Sequence, residues 1–276
     1  MKKLLLLLLL ATTAQAEPMK FTFSNDYFSP GGKDRWLTNQ MMLEVGAWGI
    51  SNEMYTPKDK RSKELPDGDR PYDGYSFIQY TKKWEIAHGE RHILKSRIGT
   101  LGEWSGAKEL QTWAHDDVGF GSHPEWVGQN PPGVALDFIL SKQNVAYLQS
   151  VFGDTSATTE YGARFGNVVD ELFLDQELRK HFFKNLYIFG GMRGQAVLFN
   201  THLDGRLIDE HLIKGYETDV YTVDKEPFVA SARVGIELYF PESEFFVSYS
   251  YKYLTEEFKG QDGRHLFGEL STGCRF

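Results

Sequence analysis

Hydrophobic and polar residues alternate along several segments in the second half of the chain. Between Thr155 and Gly166, alanines and aromatic residues occupy one set of alternate positions, and polar or glycine residues mostly occupy the other. The same alternation extends over Phe228–Phe240 and over residues 245–253. A period of two is typical of β-strands with one apolar and one polar face, so these segments are predicted to be strands.

The last alternating segment, residues 266–276, ends on Phe276. Strands of about 10 residues with aromatics near their ends suit an outer-membrane β-barrel, in which closure removes the sheet edges and lipid contacts the apolar face. A terminal phenylalanine in this position resembles the assembly signal of bacterial outer-membrane proteins. A soluble secreted sandwich or barrel is the alternative, because residues 75–82 and 93–102 alternate poorly.

The first 16 residues have the features of a secretory signal peptide. Lys2 and Lys3 precede the apolar residues 4–10, and Ala14-Gln15-Ala16 matches a small-residue cleavage pattern. We therefore expect the mature chain to begin at Glu17. The apolar stretch is too short to span a bilayer as a helix, which takes ~20 residues.

Composition favours a membrane barrel and one domain. Residues 17–276 contain no internal repeat or proline-rich linker, and the single cysteine, Cys274, cannot form an intramolecular disulfide. The net charge of -8 argues against nucleic acid as a partner. The chain has 20 Phe, 14 Tyr and 6 Trp, yet its mean hydropathy is negative. This combination suits a sheet with one lipid-facing side.

An amide and an imidazole lie four residues apart at Gln111 and His115, which puts them on one face of a helix or strand. Here the period changes to that of a helix, with Ser105 as a predicted N-cap and with Ala107, Leu110 and Ala114 in an apolar stripe. We predict a short helix in an extracellular loop, docked on the barrel wall by this stripe. A histidine titrating near neutrality can then act as a general base beside the wall.

Polar residues also collect where the first predicted strand gives way to a loop. Asn25 and Asp26 end this strand, and Thr38 lies on the next strand with the parity of Gln40, which predicts that it faces inward. A single hairpin loop joins the two strands, so both sets are expected at the same end of the barrel. That end is the outer one if the N-terminus lies in the periplasm.

Eight short motifs follow one another along the mature chain, and their order and spacing are more specific than any one of them. The chain thereby resembles the outer-membrane lipid A 3'-O-deacylases. This resemblance implies a barrel of about 12 strands, an active site between its wall and a loop helix, and calcium-dependent hydrolysis of an acyl ester on lipid A. The motifs are Ser24-Asn25-Asp26, Leu37-Thr38-Asn39, Tyr55-Thr56-Pro57, Asp69-Arg70-Pro71-Tyr72, Gln111-Thr112-Trp113-Ala114-His115, Pro124-x-Trp126-x-x-Gln129, Gly162-x-Arg164-x-Gly166-Asn167 and Thr255-x-Glu257-Phe258.

The resemblance also implies roles for five residues. Asn25 and Asp26 would hold a divalent cation, Ca²⁺, which polarises the ester carbonyl and stabilises the developing oxyanion. His115 would remove a proton from the attacking water. Gln111 and Thr38 would orient water, imidazole or substrate through hydrogen bonds.

A basic cluster follows the Tyr-x-Pro motif, where the family carries a functional lysine. Lys60, Arg61 and Lys63 are all candidates for its equivalent, and with Arg70 they are candidates for binding lipid A phosphates. Structural roles are the alternative: the 58–63 run is then a solvated loop and Arg70 belongs to a strand entry. Arg164 is predicted to face the lumen and to pair with acids such as Glu160.

The family also carries a carboxylate about six residues after its histidine, where this chain has Gly121. Asp116 and Asp117 lie next to the histidine instead, and either is a candidate for the missing ligand. Trp104, Trp113 and Trp126 are interpreted as packing or interface aromatics.

The sequence thus predicts one outer-membrane barrel that hydrolyses an ester of lipid A, with its site facing the cell exterior. Its partners would be lipid A or lipopolysaccharide and other outer-membrane lipids, with the barrel a monomer or homodimer. A phospholipase with a serine nucleophile is the first rival, with Ser105 or Ser122 as candidates, although no Gly-x-Ser-x-Gly motif is present. A non-enzymatic, porin-like barrel is the second.

Overall fold

A computed structural model describes residues 17–29, 35–64, 68–87, 89–118, 124–149, 154–183, 185–206 and 222–275. The expected signal peptide, Gly121, Ser122 and Phe276 lie outside these ranges. The described residues form twelve β-strands. They are β1 (Met19–Asn25), β2 (Trp36–Val45), β3 (Trp48–Thr56), β4 (Asp73–Ala87), β5 (Glu90–Leu101), β6 (Gly133–Leu148), β7 (Thr155–Gly166), β8 (Val169–Phe183), β9 (Leu186–Asn200), β10 (Phe228–Phe240), β11 (Phe245–Leu254) and β12 (His265–Cys274).

The strands form a closed antiparallel barrel in which each strand pairs with its neighbours in the chain. Closure occurs between β1 and β12, with a register that runs from Met19 opposite Cys274 to Asn25 opposite Gly268. A closed sheet leaves no edge, so the backbone hydrogen bonds of every strand are made within the barrel. The predicted barrel of about 12 strands is confirmed.

The two ends of the barrel differ in the length of their connections. One end carries short connections, for example residues 46–47 and 241–244. The other end, called here the long-loop end, carries the connections 26–35, 57–72, 102–132, 201–227 and 255–264.

Short helices occur in two of these long loops. Helix α1 (Ala107–Trp113) follows a 3-10 turn at Gly102–Ser105 and continues as a π-helical segment at Ala114–Val118. Helix α2 (Thr201–Asp204) follows β9 directly. Within the described ranges, no helix combines the length and apolarity needed to cross a membrane.

The outer face of the barrel is apolar in the way that alternation predicts. On β7, Tyr161 and Phe165 are exposed, whereas Arg164 lies inside. On β10, Val234, Ile236 and Leu238 are exposed, and Glu237, which lies between Ile236 and Leu238, is buried. A band of exposed apolar side chains around a barrel is the surface that contacts lipid.

Paired charges line the lumen. Arg164 binds Asp137 at 2.8 Å, and Arg193 binds Glu171 at 2.8 Å. The expected partner of Arg164 was wrong: Glu160 lies four residues along the same strand, ~13 Å away in extended chain, so a cross-strand acid takes its place. Buried charges are tolerated when they are paired in this way.

The poor alternation of the 75–82 segment has a structural cause. The inward-facing residues of β4 at the long-loop end, Tyr75 and Phe77, are aromatic and buried, and they pack with Leu101 and Ala135. Both faces of this part of the wall are therefore apolar. The Arg97 guanidinium lies over the Phe77 ring, 4.7 Å from its centroid, where the lumen becomes polar.

Candidate functional site

Helix α1 and the turn before it dock on the outer face of the barrel wall. Asn52 of β3 and Ser76 of β4 both donate hydrogen bonds to the Ser105 carbonyl oxygen, at 3.2 and 2.6 Å. Ser76 shares its face of β4 with the exposed Ile78, and Asn52 shares its face of β3 with the exposed Ile50. The helix therefore lies outside the barrel, at the long-loop end, directly beyond the lipid-facing band.

The predicted N-cap is wrong by one residue. Gly106 occupies the N-cap position with φ 68° and ψ 12°, in the left-handed region that favours glycine. Ser105 still contributes, because its Oγ accepts the Ala107 backbone N–H at 3.2 Å and donates to the Gly102 carbonyl at 2.6 Å. The serine hydroxyl is thus engaged in closing the turn.

An apolar cluster fixes α1 to the wall. Ala107 packs with Met54 of β3, with Tyr72 before β4 and with Trp126, and Leu110 packs against this cluster. Ala107 and Leu110 are two of the three residues of the apolar stripe that the sequence predicts for docking, and Ala114 is not part of this cluster.

Gln111 lies in the same buried layer. Its Oε1 accepts a hydrogen bond of 2.8 Å from Trp126 Nε1, and both side chains are only 5% exposed. The Trp126 indole stacks on the Tyr72 ring, with centroids 4.9 Å apart and an interplanar angle of 29°. The helix, the wall and the segment around Trp126 are therefore joined through this amide.

His115 is partly buried and lies in the π-helical segment that continues α1. Single π-helical turns within helices are found frequently at functional sites. The predicted helix thus carries Gln111 in its α-helical part and His115 just after the transition. Asp116 and Asp117, which follow directly, are exposed.

Asp26 is a buried carboxylate at the end of β1. Its Oδ2 accepts the Arg35 backbone N–H, whereas its Oδ1 is buried without a hydrogen-bond partner. Burial raises the pKa of Asp26 from 3.8 to about 7, against the lowering effects of the Arg35 N–H and the Lys60 charge. Asn25 caps the following turn, with its Oδ1 accepting the Tyr27 N–H at 2.7 Å.

Lys60 is the member of the basic cluster that lies beside Asp26. Burial lowers the pKa of Lys60 to about 8, and the Asp26 charge opposes that shift. The Lys60 carbonyl accepts hydrogen bonds from the Tyr72 hydroxyl at 2.8 Å and from the Glu125 N–H at 2.9 Å. Asp26 and the layer around Gln111 are thus linked through the Lys60 loop.

Thr38 departs from its predicted orientation. The register between β2 and β3 shifts between Leu37 and Asn39, so a bulge interrupts the alternation on which an inward Thr38 depended. Leu37 lines the lumen instead, whereas the buried Thr38 hydroxyl is hydrogen-bonded to that of Thr56.

The remaining predicted basic residues fall into two groups, one exposed and one buried. Arg61 and Lys63 are exposed on the loop after β3. Arg70 is only 1% exposed, with its guanidinium 4.4 Å from the centroid of the Tyr55 ring and 3.8 Å from Glu257. Arg70 is therefore occupied inside the long-loop end and does not join the residues around α1.

The described residues supply only some of the ligands of a metal-binding site. Across the described ranges, no group of three or more His, Cys, Asp or Glu side chains is arranged to hold a metal ion. The buried Asp26 Oδ1 fits one ligand position, because it is an acceptor without a donor. The Asn25 side-chain oxygen already accepts one hydrogen bond.

Trp126 and Tyr72 are the residues whose role the sequence did not predict. Both belong to motifs of the resemblance, but Trp126 was interpreted only as a packing or interface aromatic. Their arrangement depends on a contact between the segment before β6 and the segment before β4, as in the parallel bridge of Tyr72 with Gln129. Trp104 and Trp113, in contrast, are about half exposed.

Comparison with known proteins identifies the family. The family model described as outer membrane protein LpxR matches residues 46–180 and 181–276. The chain belongs to the LpxR family. The family expected from the sequence motifs, the outer-membrane lipid A 3'-O-deacylases, is thereby confirmed, and with it an outer-membrane barrel.

A solved structure of this family shares the fold. LpxR from Salmonella typhimurium superposes with a TM-score of 0.77 at 20% sequence identity, over 94% of this chain and 100% of that one. The KdgM porin in complex with oligogalacturonate has a TM-score of 0.41 at 7% identity, over 94% and 99% of the two chains. The NanC porin has a TM-score of 0.39 at 8% identity, over 95% and 100%. No curated protein sequence matches this chain significantly.

Proposed function

We propose that this LpxR-family barrel hydrolyses an acyl ester of lipid A and removes the 3'-linked chain. The observation that carries the proposal is the position of α1 on the outer face of the wall, beside exposed apolar residues such as Ile50 and Ile78. An acyl chain that lies along the wall reaches Gln111 and His115 without entering the lumen. The substrate of such a site is a lipid of the same membrane.

His115 is the proposed general base. Its imidazole takes a proton from a water molecule, whose oxygen attacks the ester carbonyl carbon while the carbonyl π-electrons move to the oxygen. Collapse of this oxyanion breaks the bond to the sugar oxygen, which receives the proton from His115. The products are a free fatty acid and a sugar hydroxyl, without a covalent enzyme intermediate.

Asp26 is the proposed ligand of a divalent cation, Ca²⁺. A bound calcium ion supplies electrophilic stabilisation of the ester oxygen. Asp26 suits this role because its buried Oδ1 has no hydrogen-bond partner and a hard cation prefers carboxylate oxygen. Asn25 is proposed as a second ligand, through the acceptor capacity left after it caps Tyr27.

The remaining polar residues orient the reactants. Gln111 and Thr38 are proposed to hold water or substrate by hydrogen bonds, and Lys60 to balance the charge of Asp26. Arg61 and Lys63 are proposed to meet the lipid A phosphates from the exposed loop. With the usual topology of long outer loops and short periplasmic turns, the site faces the cell exterior.

Mass spectrometry of lipid A tests this function. The refolded chain in detergent with calcium should remove one acyl group, and His115→Ala or chelator should prevent the loss. His92→Ala is a matched control, because His92 lies near the short-turn end of β5. Intact lipid A with a folded wild-type barrel would exclude the proposal.

One observation disfavours Ser105 as the nucleophile of a serine phospholipase, whereas Ser122 lies outside the described residues. The Ser105 hydroxyl closes the turn before α1 and is buried, so it does not offer a nucleophile, and a serine-directed fluorophosphonate should leave the activity unchanged. The lumen contains paired charges such as Arg164 with Asp137. Planar-bilayer recordings test the porin-like rival, which steady ion conductance without hydrolysis of lipid A would favour.

A further inference from the structure

The hydrogen bond between Trp126 and Gln111 has a direction fixed by chemistry. An indole N–H donates and never accepts, so the atom 2.8 Å from Trp126 Nε1 is the carbonyl oxygen of Gln111. This contact turns the amide so that its two N–H donors lie away from the indole. The buried amide therefore offers donors, and not an acceptor, to any group on its other side.

We infer that Trp126 is a positioning residue that presents the Gln111 amide N–H groups to the ester oxygen as it becomes negatively charged. This inference rests on the proposed function, since the ester is that of the lipid A acyl chain. A preorganised donor aimed at a developing oxyanion stabilises the transition state more than the ground state. With the amide reversed, its carbonyl oxygen would repel the same charge.

The surroundings of Trp126 hold the indole in place. Its ring stacks on Tyr72, which is buried and whose hydroxyl donates to the Lys60 carbonyl at 2.8 Å. The Glu125 N–H donates to the same carbonyl at 2.9 Å. Trp126 itself has φ 52°, in a region that is costly for a bulky residue and that persists only where neighbours enforce it.

Trp113, on the helix that carries Gln111, provides a matched comparison for Trp126. It is 54% exposed and lies outside the buried cluster, whereas Trp126 is 5% exposed. Phenylalanine at either position removes one indole N–H and keeps an aromatic ring. Only at position 126 does this change remove the bond that orients Gln111.

Steady-state kinetics on lipid A test the inference with the full chain in detergent. Trp126→Phe should lower kcat roughly tenfold with KM changed less than about twofold, because one orienting hydrogen bond is lost. Gln111→Glu keeps an acceptor for the indole but removes the amide donors, and should lower kcat by about 100-fold or more. Trp113→Phe should retain wild-type kcat.

A double variant and an NMR signal distinguish a positioning role of Trp126 from a purely structural one. Trp126→Phe with Gln111→Ala should be no slower than Gln111→Ala alone, because the indole acts through the amide. The indole N–H resonance that disappears in Trp126→Phe should move upfield in Gln111→Ala, which reports the bond without any turnover. A purely structural Trp126 would give additive losses.

The outcomes distinguish this inference from the proposed function. Wild-type kcat in Trp126→Phe, with the wild-type chain active on lipid A, would overturn the inference alone. A folded wild-type chain that leaves lipid A intact would overturn the proposed function and the inference with it. If Trp126→Phe does not fold, Gln111→Glu decides, since full activity in that variant would exclude a donor role.

Discussion

A Cβ atom placed on Gly74 would lie 2.0 Å from the Ser105 Oγ and 2.5 Å from the Ala107 Cβ. No side chain fits at such distances, so the close approach of α1 to the wall depends on glycine at this position of β4. The docking of α1, the helix that carries Gln111, therefore requires that position 74 have no side chain.

Replacing Gly74 should displace α1 and strongly lower activity without opening the barrel. We expect Gly74→Val to lower kcat/KM on lipid A by roughly 100-fold, since a displacement of ~1 Å at reacting groups has effects of that size. Gly194→Val is the control, because a Cβ on Gly194 meets no atom within 4 Å. Heat-modifiable gel mobility should remain for both, and full activity of folded Gly74→Val would contradict the docking model.

Asp26→Asn should weaken calcium binding by more than tenfold, because a neutral amide replaces the buried carboxylate that we propose as a ligand. Isothermal titration calorimetry of the refolded chain measures this directly, without turnover. Glu242→Gln serves as a comparison at an exposed carboxylate in the short turn 241–244. Equal calcium affinity in Asp26→Asn and wild type would remove Asp26 from the ligand set.

The exposed basic residues should affect substrate binding and not the chemical step. Arg61→Ala with Lys63→Ala should raise KM for bisphosphorylated lipid A about threefold to tenfold, with little change in kcat and less effect at high salt. Arg70→Met should instead lower the unfolding temperature, since Arg70 is buried between Tyr55 and Glu257. A selective KM effect of Arg70→Met would reverse this assignment.

The long-loop end should lose protection from hydrogen exchange in acid, because Glu257 becomes protonated. Burial alone would raise the pKa of Glu257, but the His265 imidazole 3.5 Å away and the charge of Arg70 outweigh burial and hold the pKa below its usual value of 4.5. A carboxyl whose pKa is depressed by folding contributes stability above pH ~4.5 and loses it as pH falls through the folded value.

Hydrogen exchange of residues 255–264, corrected for intrinsic rates, checks this dependence. Wild-type protection should fall as the pH drops from about 5 to 3. Glu257→Gln should be less protected at pH 7 by roughly 1–3 kcal/mol and should vary little over the same range. A parallel pH profile in the two proteins would assign the stability of this end to other groups.

Alternation predicted those strands whose two faces contact different surroundings. It located Thr155–Gly166 and Phe228–Phe240 with the bounds that the structure has, because one face meets lipid and the other a polar lumen. It was weak for β4, where Tyr75 and Phe77 make the inner face apolar as well. It also failed at Thr38, because a bulge is set by the pairing of two strands and not by one strand's sequence.

The individual residues of the candidate site could be predicted from the sequence, but the contacts between them could not. Helical periodicity indicated α1 and its apolar stripe, and the motifs brought in Asn25, Asp26 and Thr38. The bond from Trp126 to Gln111 and the position of Lys60 beside Asp26 depend on loops that meet only in the folded chain. For the same reason Arg70 was grouped with the exposed basic residues, although it is buried.

Hydrolysis of lipid A in ¹⁸O-labelled water tests the central claim most directly. The refolded chain should release a fatty acid that carries one ¹⁸O atom and leave a lipid A product that lacks the 3'-linked acyl group and carries no label. His115→Ala should give neither product. Unchanged lipid A, or a released acyl group without ¹⁸O, would contradict a water-dependent deacylase at this site.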